Sequence, residues 1–300
     1  MKIEFRKPEL TDKELITSYL MRYPSRCCDR TFANILLWCV HYHVDFAEYK
    51  NTLLFRDGDA EAAFALPAGE DEDVKAVIQE LMDWAKAENK EFSLYEITKE
   101  NQEKLEEWFP GVFEVEYDRD YADYIYEAES LATLAGKKLH SKRNHVNKFH
   151  KNFENRWSYE PLSKENQAAC LKMADEWCKR NGCSDDPGKK SELCVAKNAI
   201  RLYEELDMTG GVLKIDGEIV AFTVGEAINE DTFVVHIEKA FSDVDGAYPM
   251  INQQFVSHEL YGKFKYVNRE EDLGIEGLRK AKLSYKPAIL LEKGIATLRK

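Results

Sequence analysis

Apolar and polar positions alternate along the chain in short runs, and the runs predict a succession of modest helices and strands. Leu10-Thr11-Asp12 opens a helix through Tyr19 to Tyr23, and Pro24 ends it because proline lacks the N–H that another turn requires. Phe32 to Val44 is a second apolar stretch, so residues 1–50 read as mostly helical. His41 and His43 within it are two residues apart, a spacing that does not share a helix face, and they read as core or surface histidines rather than ligands. Asn51 to Phe55 and Ala60 to Leu66 read as strands around Asp57-Gly58, a hairpin dipeptide. In Val74 to Glu88 the apolar positions Val74, Val77, Ile78, Leu81 and Ala85 follow the helical period. Phe92 to Ile97 reads as a strand, and Thr98 caps a helix that stops before Pro110-Gly111. Val112 to Tyr117 and Tyr121 to Tyr126 close the set as strands.

The second half repeats this grammar. Ser163 caps a helix from Glu165 to Arg180, with Leu171, Ala174, Trp177 and Cys178 inward and Gly182 as its stop. The same tetrapeptide, Lys-Glu-Asn-Gln, follows both Thr98 and Ser163. A helix over Glu192 to Leu206 leads to the strands Val212 to Ile215 and Glu218 to Glu226 around Asp216-Gly217. Thr232 to Ala240 is a β-branched strand, and Gly246 to Leu260 is a helix. The expectation is an α/β (α+β) chain of two similar halves with mixed sheets, residues 1–126 and 157–300, joined by a basic linker helix over 127–156.

Composition narrows the function. A formal charge of −13 and a pI near 5.2 argue against a protein that coats nucleic acid, and no DNA partner is expected. No apolar run is long enough to span a bilayer and the N-terminus lacks a signal-peptide core, so membrane contact is expected to be at most peripheral. The seven cysteines show no CxxC or Cys/His ligand spacing. Neither a disulfide framework nor a metal site is expected; Cys170 and Cys178 read as packing residues, and the compartment as the reducing cytoplasm.

Three stretches carry candidate chemistry. Leu131 to Lys151 is strongly basic, with Lys142 and Arg143 beside Asn144 and Asn147. It is either a solvated connecting helix or an anion-binding lip for phosphate on a cofactor, a nucleic acid or a lipid headgroup. Thr232 to Ala240 ends in Glu238 and Lys239 and delivers a loop to the helix start at Gly246-Ala247, where free backbone N–H groups favour an anion. Lys265 to Pro287 gathers Asn268, Arg269, Glu271, Asp272, Arg279, Lys282 and Tyr285 around Gly274 and Gly277, either as a site or as a surface loop with internal salt bridges.

The strand–loop–helix junction resembles in part the coenzyme A pyrophosphate loop of GNAT acetyltransferases, Q/R-x-x-G-x-G/A. Laid on Gly246, the first position is Asp243, whose charge would repel pyrophosphate. Gly277 to Pro287, GLRKAKLSYKP, resembles the G-L-R-x-x-K-x-x-F/Y-x-P signature of phosphatidylglycerol lysyltransferases. Glu127 to Phe149, EAESLATLAGKKLHSKRNHVNKF, resembles the segment linking that family's two GNAT-like halves. The resemblance implies a relative of its C-terminal catalytic region, in the circle of Fem-type aminoacyltransferases but without the integral-membrane portion. It implies transfer of an acyl or aminoacyl group to an amine or hydroxyl, with acyl-CoA or aminoacyl-tRNA as donor. Glu238 is then the expected base, or the group that binds a substrate ammonium, with its ordinary alternative an ion pair to Lys239 or Arg279. Tyr285 is either the acid or a packing aromatic, and Arg269, Arg279 and Lys282 hold phosphate or carboxylate, with Glu271 and Asp272 orienting them or recognising an amino group. The competing reading is a non-catalytic GNAT-like protein that binds a small charged ligand or RNA. No strand-flanked G-x-G-x-x-G and no G-x-S-x-G occurs, which removes dinucleotide oxidoreductases and common serine hydrolases.

Overall fold

The structure, a computed structural model, describes residues 3–60 and 62–299. In chain order its principal elements are α1 (Lys13–Arg22), α2 (Phe32–Trp38), β1 (Val44–Tyr49), β2 (Thr52–Asp57), β3 (Ala63–Ala65), α3 (Asp71–Ala87), β4 (Ser93–Ile97), α4 (Lys99–Trp108) and β5 (Phe113–Tyr117). They continue with β6 (Asp123–Glu127), α5 (Ala128–Thr133), α6 (His140–Asn152), β7 (Trp157–Pro161), α7 (Lys164–Arg180), α8 (Pro187–Arg201), β8 (Thr209–Ile215), β9 (Glu218–Ala227) and β10 (Thr232–Ala240). The last are α9 (Ala247–Phe255), β11 (Tyr266–Asn268), α10 (Glu276–Leu283), β12 (Ile289–Leu291) and β13 (Gly294–Leu298).

Two mixed sheets result, ordered β1-β2-β3-β4-β13-β5 and β12-β6-β11-β10-β9-β8-β7. Both expected helix caps form. Thr98 and Ser163 each close a capping box with the asparagine three residues on, satisfying N–H groups that a helix start leaves bare. The first hairpin differs from expectation. A two-residue turn of this kind needs positive φ at both central residues, and Lys50 (48°) and Asn51 (58°) take it, joining β1 to β2. Asp57-Gly58 instead begins the longer connection to β3. In the second hairpin Asp216 (52°) and Gly217 (85°) do form the tight turn.

In the first sheet's core, the apolar face of α3 (Val74, Val77, Ile78, Leu81) packs with Leu54, Phe64 and Leu94. Beside the second sheet, Val146 and Phe149 of α6 share a buried cluster with Tyr124, Tyr126, Met250, Ile251 and Phe255. Each full burial of such a side chain stabilises by about 1.5–3 kcal/mol. The helix expected to bridge two halves is thus an integral part of the second core.

The compact units are not continuous in sequence. One takes the chain up to Asp123, Glu271–Gly274 and the stretch from Leu290; the other takes Tyr124–Glu270 and Ile275–Ile289. The chain end returns because β13 pairs antiparallel with both β4 and β5, completing the first sheet. Spans of 1–126, 127–156 and 157–300, drawn in sequence order, do not contain that return.

Cys170 packs as expected, but Cys178 does not remain a free packing thiol. Gly182, in the left-handed region at φ 65°, turns the chain after α7, and Cys183 forms a disulfide with Cys178 across Cα atoms 5.2 Å apart. Among the described residues no helix is long and apolar enough to cross a membrane.

Candidate functional site

The centre is built on β10, which pairs antiparallel with β9 until the register slips between Val235 and Ile237. His236 is the extra residue of this bulge, a device that re-aims side chains beside functional sites. Gly225 on β9 is required close by: a Cβ there would lie 1.9 Å from the Val234 carbonyl oxygen. Beyond the bulge Glu238 comes opposite Thr223. The Glu238 carboxylate accepts from the Arg269 guanidinium at 2.7 Å and from the Asn252 amide of α9 at 3.1 Å. The ion partner is therefore Arg269, just past β11, and not Lys239 or Arg279.

Aromatic rings hold the cations. The Arg269 guanidinium lies 4.9 Å from the centroid of Tyr285 and 5.8 Å from that of Tyr126. The two tyrosines meet edge to face at 6.2 Å. Lys142, reaching in from α6, places its ammonium 4.2 Å from the Tyr285 centroid. Burial drives the Lys142 ammonium down to about 8; Arg269 lowers it further, and Glu238 opposes the change only in part. Burial pushes the Tyr285 phenol well above its ordinary value against the pull of Arg269, so its hydroxyl stays protonated.

Three buried polar atoms around Glu238 have no hydrogen-bond partner among the described residues: Thr223 Oγ1, Asn252 Oδ1 and Arg269 Nη1. Each unmet group costs about 1–3 kcal/mol in a sealed interior. Arg269 and Asn252 bond the Glu238 carboxylate, and Thr223 stands opposite it on β9.

The bulged residue has a separate role. His236 is buried between Glu270 (Nδ1 to Oε1, 2.7 Å) and Glu226 (Nε2 to Oε1, 3.0 Å). Burial alone would depress its basicity, but the two glutamates outweigh it and hold the imidazolium up to about 10. Sequence reasoning passed over His236 because nothing local marks it. Its partners lie 10 and 34 residues away.

The other predicted residues divide. The Lys282 ammonium donates to the Arg269 carbonyl oxygen at 2.5 Å, and the Tyr126 hydroxyl donates to the Lys282 carbonyl oxygen at 2.8 Å, so Lys282 supports the centre without its charge facing a ligand. Asn268 is buried and accepts from the Glu270 N–H at 2.7 Å. Arg279 is half-buried on α10. Lys239 turns away to Glu192 and lies 4.2 Å from the Trp177 ring centroid. Arg143 donates to the Leu134 and Gly136 carbonyl oxygens, tying down the end of α5. Asn144 contacts His140, and Asn147 is exposed.

The Gly246 junction is closed by α6 rather than left open for an anion. Gly246 sits at φ 84°, and a Cβ on it would come within 2.7 Å of the His145 carbonyl oxygen. Lys148 pairs with Asp245, Asp243 pairs with Arg180 at 3.2 Å, and the Ala247 N–H already donates to the Val244 carbonyl oxygen. Gly246→Ala is expected to lower stability by about 1–3 kcal/mol, through left-handed strain and the backbone clash. Chemical denaturation measures it; an unchanged midpoint would show that α6 does not press on the junction.

Glu271 and Asp272 belong to the first unit and orient different cations from those expected. Asp272, fully buried, pairs with Arg119 at 3.3 Å. The Lys293 ammonium stands 2.7 Å from Asp29, 2.9 Å from Asp123, 3.6 Å from Glu271 and 3.4 Å from Cys28 Sγ. Cys28, Asp123 and Glu271 bring potential metal-ligand atoms within 4.8 Å of one another, and the lysine stands beside all three. Burial raises Glu96 in the same cluster to about 7, Asp29 adding to the effect against Arg30.

A family model for the C-terminal region of phosphatidylglycerol lysyltransferase matches residues 20–296. The chain belongs to that family. A crystal structure of a conserved protein of unknown function from Bacteroides thetaiotaomicron is 41% identical, with TM-score 0.92 over 99% of this chain and 100% of that one. L-PGS from Bacillus licheniformis shares the fold at 16% identity, with TM-score 0.65 over 99% of this chain and 94% of that one. An uncharacterised protein of Mycoplasmoides gallisepticum is 26% identical over 197 residues, 62% of this chain and 60% of that protein's length. The two mixed sheets and the family match set the chain beside the C-terminal region of phosphatidylglycerol lysyltransferase, with the fold of L-PGS.

Proposed function

We propose that the second unit transfers an acyl or aminoacyl group to an amine or hydroxyl at the Glu238–Arg269 centre, in the cytoplasm. The supporting observation is the trio of unfilled buried atoms, Thr223 Oγ1, Asn252 Oδ1 and Arg269 Nη1. Acyl transfer needs donors aimed at the oxygen on which charge develops. Arg269 Nη1 supplies one, and the protonated Tyr285 hydroxyl, buried in the same cluster, supplies a second. Glu238 has both oxygens engaged, by Arg269 and Asn252, which suits it to fix Arg269 and hold a substrate ammonium rather than to take a proton. The closed Gly246 junction and the pairing of Asp243 favour aminoacyl-tRNA over a coenzyme A thioester as donor. That same closure is what supports a second reading, a binding protein for a small charged ligand or RNA without turnover.

Binding of acetyl-CoA and of aminoacyl-tRNA, followed by turnover of wild type and Glu238→Gln, separates the two. Loss of the charge holding Arg269 is expected to lower kcat by about 10²–10³ with the fold retained. Turnover unaffected by Glu238→Gln removes the centre from the chemistry; tight binding without turnover supports the second reading.

A further inference from the structure

The centre described so far contains hydrogen-bond donors and fixed charges but no group free to accept a proton. Glu238 has both oxygens engaged. Tyr285 keeps its proton because burial opposes the phenolate. His236 is clamped as an imidazolium by Glu226 and Glu270. Lys142 is different. It enters from α6, its ammonium lies over the face of Tyr285, and among the described residues no carboxylate or carbonyl oxygen accepts a hydrogen bond from it. Arg269 lies against the same ring. A half-buried ammonium without an acceptor and with a guanidinium as neighbour is destabilised relative to the neutral amine.

We propose that Lys142 is the proton-accepting catalytic residue of this centre. The assignment rests on the acyl-transfer reading of the same site. As the acceptor oxygen or nitrogen forms its bond to the acyl carbon, the neutral Lys142 amine takes the proton from that atom. The carbonyl electron pair moves onto oxygen, stabilised by Arg269 Nη1. On collapse the donor's C–O or C–S bond breaks, and the leaving oxygen or sulfur takes the proton back from the Lys142 ammonium. A lysine titrating near 8 is suited to this exchange, because an effective general base lies close to the working pH.

The groups facing Lys142 set the signs of a test that needs no substrate. Isotopic acetic anhydride in trace amount, applied to the full chain from pH 6 to 10 with peptide mass spectrometry, reads the midpoint of each lysine. Lys142 is expected to titrate near 8. Glu238→Gln should move that midpoint down, and Arg269→Gln should move it up. A midpoint near the ordinary lysine value in wild type overturns the inference. Turnover is then measured with bulk radiolabelled aminoacyl-tRNA or acetyl-CoA as donor and ethanolamine or glycerol as acceptor. Lys142→Arg keeps the charge over Tyr285 but cannot release its proton, and is expected to lose about 10²–10⁴ in kcat at pH 8 with little change in KM. Wild-type rates from Lys142→Arg overturn the role of Lys142 and leave the transferase reading standing. No turnover by wild type with either donor overturns both.

Discussion

Lys293→Met is expected to cost the first unit about 3–5 kcal/mol, because it strips a buried ammonium from three carboxylates, one fully buried and two partly so. Asp29, Asp123 and Glu271 all lie within 3.6 Å of that nitrogen, and Asp123 is fully buried. Burial alone would drive the lysine toward its neutral form, but Asp123 and Asp29 outweigh it and hold it well above the ordinary value. Asp29 is correspondingly held low, burial being overcome chiefly by Lys293. Its folded value is depressed, so its contribution is present above the unfolded carboxylate range and is lost as pH falls through the folded value. Without the lysine the carboxylates must share protons or separate. Urea unfolding at pH 7 checks the prediction, and a variant as stable as wild type would mean that the carboxylates are already neutral. The double variant Lys293→Met/Asp123→Asn should recover part of the loss, since it removes one of the stranded charges.

The second large effect is a fall in stability on the alkaline side, caused by His236. Its folded value is raised from an ordinary 6.5 to about 10, so its contribution is fully present below 6.5 and is lost as pH rises through about 10. The span of about 3.5 corresponds to an upper figure on the order of 5 kcal/mol, since each unit is worth about 1.4 kcal/mol. Lysines and tyrosines also titrate in this range, so the comparison that isolates the effect is the slope of stability against pH in wild type and in His236→Gln. Wild type should fall more steeply between pH 7 and 10; parallel curves would mean that the Glu226–His236–Glu270 row does not bind its proton as the geometry requires.

Much of the architecture was legible because it is local. Capping boxes at Thr98 and Ser163, the apolar stripe of α3 and the Asp216-Gly217 turn are set by residues within a few positions of each other. What was missed is non-local or subtle. Strand β1 hides behind an apolar run that begins as a helix, although Val44, Asp45 and Phe46 already alternate. The return of β13 to the first sheet has no local signature, because pairing with β4 and β5 is decided nearly 200 residues away.

The site shows the same division. Of the stretch read as one unit, Arg269 bonds Glu238 and lies against Tyr285, and the Lys282 ammonium reaches the Arg269 carbonyl oxygen, while Lys142 of the basic segment lies over the same Tyr285 ring. The acids beside them, Glu271 and Asp272, part company within a few residues and serve the first unit. Charge blocks in sequence reveal that charges must be managed, but not which partner each one finds. Thr223 and Asn252 carried no visible signal, since a threonine in a strand and an asparagine in a helix are ordinary until their partners are missing.

Everything proposed for the second unit depends on polar atoms of a substrate filling the vacant hydrogen bonds around Glu238. A crystal of the full chain soaked with puromycin, a mimic of the aminoacylated end of tRNA, tests this most directly. The account predicts ligand nitrogen or oxygen atoms within about 3.2 Å of Arg269 Nη1 and Asn252 Oδ1, with Lys142 beside the aminoacyl group. Puromycin bound elsewhere while water alone satisfies those two atoms would contradict it.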